Sequence, residues 1–169
     1  MKLQFRDLRK DEIDVRIGQV LDSGVTLLLY KDARCDMNIL DETVGAMGWQ
    51  RSHTRDNANC IVSIWDSEKE QWISKEDTGT ESNTEKEKGL ASDSFKRACT
   101  NWGIGRELYT SPFIYVSAND CNIVQGSNGK KVCRDKFVVE AVEVKDKVIV
   151  ALAIKNAKTG KIVFNGKRS

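Results

Sequence analysis

The chain has 169 residues, with 27 basic and 25 acidic side chains and a formal net charge of +2. This length is typical of one domain with its own hydrophobic core. The near-balance of charge does not by itself indicate a nucleic-acid-binding protein, but the charge is unevenly distributed. Residues 129–169 carry 11 Lys and Arg against 4 Asp and Glu, so the C-terminal third is basic. The apolar runs are too short to span a bilayer.

The cysteines and the histidine argue against metal and thiol chemistry. Five cysteines occur without a CxxC pair, and His53 is the one histidine of the sequence. A zinc site would need an unusual ligand set, and nothing in the sequence places His53 near a thiol for catalysis. The N-terminal residues lack the apolar stretch of a secretory signal. We therefore expect a protein of the reducing cytoplasm, without a cofactor or a metal.

The first half of the chain alternates between strand and helix patterns. Residues 14–30 contain two β-prone runs around a turn, which predicts a hairpin. Apolar residues at helical spacing predict a helix over 32–44. Three strands follow, at 49–55, 59–65 and 71–76, separated by polar turns.

The strongest pattern predicts a helix over 84–102. Thr84 and Glu87 have the spacing of a capping box, and an apolar stripe that includes Phe95 recurs along one face. Lys96 and Arg97 fall on the opposite face, which we expect to face solvent. Gly103 is expected to end the helix, and a short helical turn is expected at 106–109.

The C-terminal part combines a loop with further strands. Residues 117–132 are rich in Asn, Ser and Gly and predict a flexible loop within a single domain, 1–169. Strands are predicted at 136–144, 147–154 and 161–166. The fold class is therefore α+β: a twisted antiparallel sheet packed on a long helix, with a C-terminal β-hairpin or meander.

The run SDSFKRACTNWGIGRELY, residues 92–109, resembles a stretch of the single-strand annealing proteins. This family includes the eukaryotic double-strand-break repair annealing proteins and their phage and bacterial relatives, and the chain is most similar to the phage recombination members. Two further blocks match in the same order, YKDARCDMNILDETVGAMGW at 30–49 and WISKEDTG at 72–79. The resemblance covers about residues 14–116 and is weaker over 117–169.

The resemblance implies a β-β-β-α core and ring-shaped or helical homo-oligomers that anneal complementary single strands without ATP. It also implies a DNA groove lined by a Lys-Arg pair on the long helix, which corresponds to Lys96 and Arg97. An arginine of the D-A-R block lines the same groove and corresponds to Arg34. Some members have a further lysine near the start of the helix, for which Lys88 is the nearest match.

These residue types suit the chemistry of annealing. A protein that stacks every base on an aromatic ring keeps the strands apart, so an annealing groove should hold phosphates instead. Arg binds phosphate oxygens with two parallel hydrogen bonds, and Lys adds a mobile charge. We interpret Trp49 and Trp102 as core residues. The expected single-stranded DNA contacts are Lys96, Arg97, Arg34, Lys88 and Arg106, with Arg51 and Arg55 sharing a strand face with His53.

Three alternatives stay open at this point. One is a DNA-coating or end-protecting protein that does not anneal. Another is a metal-dependent nuclease, for which Asp135, Glu143 and Lys145 weakly suggest an acid followed by an ExK motif. The third is a double-stranded RNA binder. We expect a phage- or prophage-encoded protein in the bacterial cytoplasm, with a phage exonuclease or a host single-strand binding protein as further candidate partners.

Overall fold

A computed structural model describes residues 2–80 and 86–169 of the chain, which is a mixed α+β protein with antiparallel strand pairs. In chain order its helices and strands are β1 (Asp14–Val20), β2 (Gly24–Tyr30), α1 (Ala33–Val44), β3 (Trp49–Thr54), β4 (Asn59–Asp66), β5 (Gln71–Thr78), α2 (Lys86–Asn101), β6 (Ile114–Ser117), β7 (Ile123–Gln125), β8 (Lys131–Cys133), β9 (Phe137–Lys145), β10 (Val148–Asn156) and β11 (Ile162–Lys167). Short 3₁₀ turns occur at 10–12, 106–110 and 118–120.

Most predicted elements are present with ends that agree within a few residues. The hairpin, the helix over 32–44 and the three following strands correspond to β1 through β5 and α1. The long helix corresponds to α2, but Thr84, its predicted cap, lies outside the described residues. Gly103 follows the helix with a φ of 104°, a conformation that favours glycine at a helix end.

The chain divides into two compact units, where its length predicted one domain. Unit 1 comprises Asp32–Arg106 together with the N-terminal residues up to Asp7, and unit 2 comprises Leu8–Lys31 and Glu107–Ser169. The division follows from strand pairing, because β2 pairs with β6 although all of α1 through α2 lies between them in the chain. The strands therefore form separate sheets, and the expectation of one continuous sheet was wrong.

Unit 1 contains the three-stranded sheet β3-β4-β5, with α2 packed on β4 and β5. Phe95 on α2 is fully buried, as are Cys60 and Val62 on the sheet. The Trp49 ring stacks on Phe95 with centroids 5.9 Å apart. The Trp102 indole donates its N–H to the Val62 carbonyl at 3.0 Å. Both tryptophans therefore take part in packing, although each is half-buried and not fully enclosed in the core.

Unit 2 contains the six-stranded sheet β11-β10-β9-β1-β2-β6. Alternate residues of its strands point to one buried side, which is the period expected for strands with one covered face. The buried residues include Val25, Leu27, Ile114, Val116, Leu152 and Ile154.

The segment 117–132 is more ordered in its backbone than the predicted loop. A 3₁₀ turn at Ala118–Asp120 leads into a small hairpin in which β7 pairs with β8, with Ile123 opposite Cys133. The Gly-rich composition serves the hairpin turn, where Gly129 has a φ of 79°.

None of the five cysteines forms a disulfide. Among the described residues, no helix combines the length and the apolar character needed to cross a membrane.

Phe95→Ala should destabilise unit 1 strongly, because the fully buried ring packs between α2 and the sheet. We expect the free energy of unfolding to fall by about 3–5 kcal/mol. Urea unfolding followed by tryptophan fluorescence measures this loss, since all four tryptophans belong to unit 1. Phe95→Leu is the control and should lose clearly less. A loss below about 1 kcal/mol for Phe95→Ala would contradict the packing.

Candidate nucleic-acid interface

Three of the predicted DNA contacts lie around two carboxylates of unit 1. We call Arg34, Lys96 and Arg97 the cation cluster, with Asp32 and Asp93 as its carboxylates. Asp32 caps α1, accepting the backbone N–H of Arg34 at 2.7 Å, and its carboxylate also pairs with the Arg34 guanidinium at 3.3 Å. These two hydrogen bonds, the backbone one first, lower the pKa of Asp32, although burial opposes them.

Lys96 connects α2 to this pair. Its charge also lowers the pKa of Asp32 and that of Asp93, so its ammonium lies within electrostatic reach of both carboxylates. Lys96 therefore acts on the carboxylate partners of both arginines, although Arg34 belongs to α1 and Arg97 to α2.

Arg97 is held by Asp93, one helical turn earlier on α2. The guanidinium Nε donates to the carboxylate at 2.9 Å, and the backbone N–H of Thr80 donates to the same oxygen at 2.8 Å. Burial raises the pKa of Asp93, but the Thr80 N–H, the Arg97 guanidinium and the Lys96 charge outweigh it and hold that pKa below its usual value. The ionised carboxylate keeps Arg97 in a defined position.

The cation cluster differs in exposure from the sequence expectation. The Arg34 side chain is 81% exposed, whereas that of Arg97 is 39% exposed and Lys96 is half-buried. The Lys-Arg pair was expected on the solvent-facing side of α2. Both side chains are instead partly buried. Arg34 is thus the most accessible cation of the cluster.

Arg106 and Lys75 serve the C-terminal end of α2. The Arg106 guanidinium donates to the carbonyls of Thr100 and Asn101, both at 2.8 Å. Lys75 on β5 donates to the Asn101 carbonyl at 3.2 Å, and its ammonium lies 5.0 Å from the centroid of the Trp102 ring. Positive groups stabilise the negative end of a helix, so both have a structural role here. Sequence reasoning missed Lys75, for which strand spacing offers no specific signal.

The predicted strand face of Arg51, His53 and Arg55 is only partly present. β3 ends at Thr54, and Arg55 lies in the following turn with a φ of 53°, so its inclusion in that face was wrong. The Arg51 guanidinium lies 4.5 Å from the centroid of the Phe95 ring. His53 Nδ1 lies 3.4 Å from the Ser94 hydroxyl on α2. Burial and the Arg51 charge both lower the pKa of His53, so the histidine adds no charge at neutral pH.

His53 lies opposite Cys60 in the β3–β4 pairing. The sequence could not place the histidine relative to a thiol, because the strand register is a property of the fold. The pair is nevertheless poorly suited to thiolate chemistry. Cys60 is fully buried, and burial raises the pKa of its thiol to about 11.

The remaining predicted contact, Lys88, belongs to the first turns of α2. Its side chain lies outside the part of the molecule that the structure describes, so its relation to the cation cluster stays a prediction.

The acid-plus-ExK arrangement is not assembled. Asp135 precedes β9 and accepts hydrogen bonds from the Asn122 N–H at 2.7 Å and the Asn156 amide at 3.1 Å. Glu143 and Lys145 lie toward the other end of β9, and eight residues of strand span roughly 26 Å. A metal ion cannot bridge that distance. In the described residues, no group of three or more His, Cys, Asp or Glu side chains is placed to hold a metal ion.

No protein-family model matches this chain, and comparisons with curated proteins and with solved structures find no match. The cation cluster is therefore interpreted from its own geometry and chemistry, together with the sequence blocks that contain its residues.

Asp93→Asn should lower stability at neutral pH and lose this effect in acid. The pKa of Asp93 is lowered in the folded protein, so its contribution is present above the unfolded value of about 4 and disappears as the pH falls through the folded value. We expect a neutral-pH loss of roughly 0.5–1 kcal/mol, because the pair with Arg97 is partly exposed. Urea unfolding of both proteins between pH 7 and pH 3 measures the difference. A difference that stays constant over this range would contradict the role of the ionised carboxylate.

Proposed function

We propose that the protein binds single-stranded DNA and anneals complementary strands without ATP, as a homo-oligomer in the bacterial cytoplasm. The observation that carries this proposal is the cation cluster. Arg34 of the D-A-R block pairs with Asp32, and Arg97 on α2 pairs with Asp93. The charge of Lys96, the neighbour of Arg97, acts on both carboxylates. The order β3-β4-β5-α2 in unit 1 is also the order that the resemblance implies for an annealing core.

The chemistry of the cluster favours a phosphate ligand. Asp32 and Asp93 bind their arginines through carboxylate oxygens, which are anionic acceptors for a guanidinium as phosphate oxygens are. A nucleic-acid backbone can exchange with these carboxylates, with Arg34 as the most exposed partner. The three side chains of the cluster bind charge and have no ring on which a base could stack, so a strand held by them keeps its base edges free to pair.

The proposed oligomer follows from the small number of contacts. Three cations on one chain, partly neutralised by two carboxylates, give weak binding per subunit. A ring or filament repeats the contacts along one strand, and each engaged subunit raises the local concentration for the next. A phage exonuclease or a host single-strand binding protein is a further proposed partner.

Coating or end protection of DNA is the second candidate function, since the same cluster serves it. Mixing dye-labelled complementary oligonucleotides separates the two. An annealing protein accelerates pairing without ATP, whereas a coating protein slows it.

Lys96→Ala and Arg97→Ala should each weaken binding of labelled oligo-dT by several-fold and flatten its salt dependence. Each lost phosphate contact should reduce the slope of log affinity against log salt by about 0.7. Fluorescence anisotropy at several salt concentrations measures both quantities. Lys69→Ala is the matched control, because Lys69 is an exposed cation of unit 1 beside Asp66, away from the cluster. A folded double variant with the affinity and slope of the wild type would refute the site.

Asp32→Asn should strengthen binding of oligo-dT about two- to tenfold. Asn caps a helix as well as Asp, so α1 should be retained, while the charge that occupies Arg34 and attracts Lys96 is removed. The same anisotropy titration measures the change, and circular dichroism checks the helix content. Weaker binding by a folded Asp32→Asn protein would show that the carboxylate positions Arg34 for the ligand rather than competing with it.

A further inference from the structure

The outer face of the six-stranded sheet in unit 2 exposes aromatic side chains. Along β2 the side chains alternate: Val25 and Leu27 are buried, whereas Leu28 and Tyr30 are exposed. Tyr115 on the neighbouring strand β6 is also exposed. Single exposed apolar residues are common on a protein surface, whereas a contiguous group of them marks a binding surface.

The strand register places these side chains in one row. Tyr115 lies opposite Thr26, which shares its face of β2 with Leu28 and Tyr30. From Thr26 to Tyr30 the strand advances roughly 13 Å, so Tyr115, Leu28 and Tyr30 form a line of about that length. We call this line the aromatic row. Its length matches two or three nucleotides of an extended single strand.

Glycines beneath the row fix its side chains against the sheet. A Cβ atom at Gly24 would lie 2.8 Å from Tyr115 Cζ and would clash with the Val116 carbonyl oxygen. At Gly18 it would lie 3.1 Å from Leu28. The tyrosine ring and the leucine therefore lie directly against backbone on their inner side. Their outer side is the part available to a ligand, which meets a surface that needs little ordering.

Charge at one end of the row favours a nucleic acid. The Arg16 guanidinium lies 5.8 Å from the centroid of the Tyr30 ring. A cleft of about 480 Å³ lies beside Tyr30, and its lining includes Lys10, Lys136, Asp11 and Asp14. Here β1 pairs with β9 at Asp14 and Val138. The Glu140 carboxylate also lies within electrostatic reach of Lys10 and pairs with Lys155 at 3.0 Å. Four cations against three carboxylates leave a small positive excess near the row. Exposed rings next to cations on an open sheet are the arrangement that stacks unpaired bases over a neighbouring backbone contact.

We propose that the aromatic row of unit 2 binds single-stranded DNA by stacking its bases, as a second contact surface separate in kind from the phosphate-binding cation cluster. The identity of the strand as DNA rests on the proposed function. Because the local charge excess is small, stacking supplies most of the affinity at the row, and the row contributes little to the salt dependence of binding. Bases that stack on the row cannot pair with a complementary strand. The row would therefore retain the DNA, while the cation cluster would leave the bases of the strand it binds accessible for pairing.

The test compares binding of two labelled oligonucleotides of equal length, oligo-dT and an abasic strand, by the wild type and by the double variant Tyr30→Ala/Tyr115→Ala. We expect the double variant to bind oligo-dT at least tenfold more weakly, with an unchanged salt slope. The abasic strand should bind both proteins equally. Tyr30→Phe/Tyr115→Phe keeps the rings and should bind like the wild type, as should Tyr109→Ala, which removes an exposed tyrosine outside the sheet.

The possible outcomes separate the two proposals. Wild-type affinity of a folded Ala double variant for oligo-dT would overturn the aromatic row, even where Lys96→Ala and Arg97→Ala still weaken binding. Failure of the wild-type protein to bind oligo-dT would overturn the proposed function itself. A drop in molar mass by light scattering with unchanged affinity would show that the row is an interface between copies of the chain, and would also overturn the inference.

Photocrosslinking gives a readout that does not depend on a folded variant. An oligo-dT carrying 5-iodouracil, bound to the wild-type protein and irradiated, should attach to peptides that contain Tyr30 or Tyr115. Crosslinks confined to peptides of unit 1 would contradict base stacking on the row.

Discussion

The packing of Phe95 into the three-stranded sheet is the interaction on which unit 1 depends. The ring is fully buried, with Trp49 stacked on it and the Arg51 guanidinium 4.5 Å from its centroid. Because side chains of a helix rotate by a fixed angle per residue, burying Phe95 fixes the directions of the next two residues, Lys96 and Arg97. The position of two cations is thus a consequence of apolar burial rather than of their own interactions.

Carboxylates then determine how those cations are held. Asp93 binds Arg97 and Asp32 binds Arg34, while Lys96 acts on both acids. Each acid limits the flexibility of a long side chain, which would otherwise lose conformational entropy when it binds a ligand. The same carboxylates compete with a ligand, because a phosphate must replace the carboxylate that already binds the arginine. In the proposed function, this competition would allow a bound strand to be released, and repetition of the cluster in the proposed oligomer would supply the affinity.

The two proposed surfaces differ in the part of a nucleotide that they recognise. The cation cluster of unit 1 holds charge, which is the same at every nucleotide and leaves bases exposed. The aromatic row of unit 2 offers ring faces, which hold bases and leave phosphates exposed. Annealing requires a strand to be kept and its bases to be accessible, and one kind of contact does not serve both needs.

Local patterns in the sequence predicted most of the elements, but they missed the strands β6, β7 and β8. The alternation over 14–30, the apolar spacing over 32–44 and the stripe around Phe95 predicted β1, β2, α1 and α2 because short-range periodicity reflects which face is buried. Short-range periodicity could not predict which distant segments contact each other. The pairing of β2 with β6, which divides the chain into two units, and the register that places His53 opposite Cys60 depend on residues far apart in the chain. Three further features depend on residues far apart in the chain or on the local fold. They are the role of Arg106 at the end of α2, the position of Arg55 in a turn, and the alignment of Tyr115 with Leu28 and Tyr30. Periodicity reports which side of an element is buried, whereas the partner across a sheet or at a helix end is chosen by the packing of the whole chain.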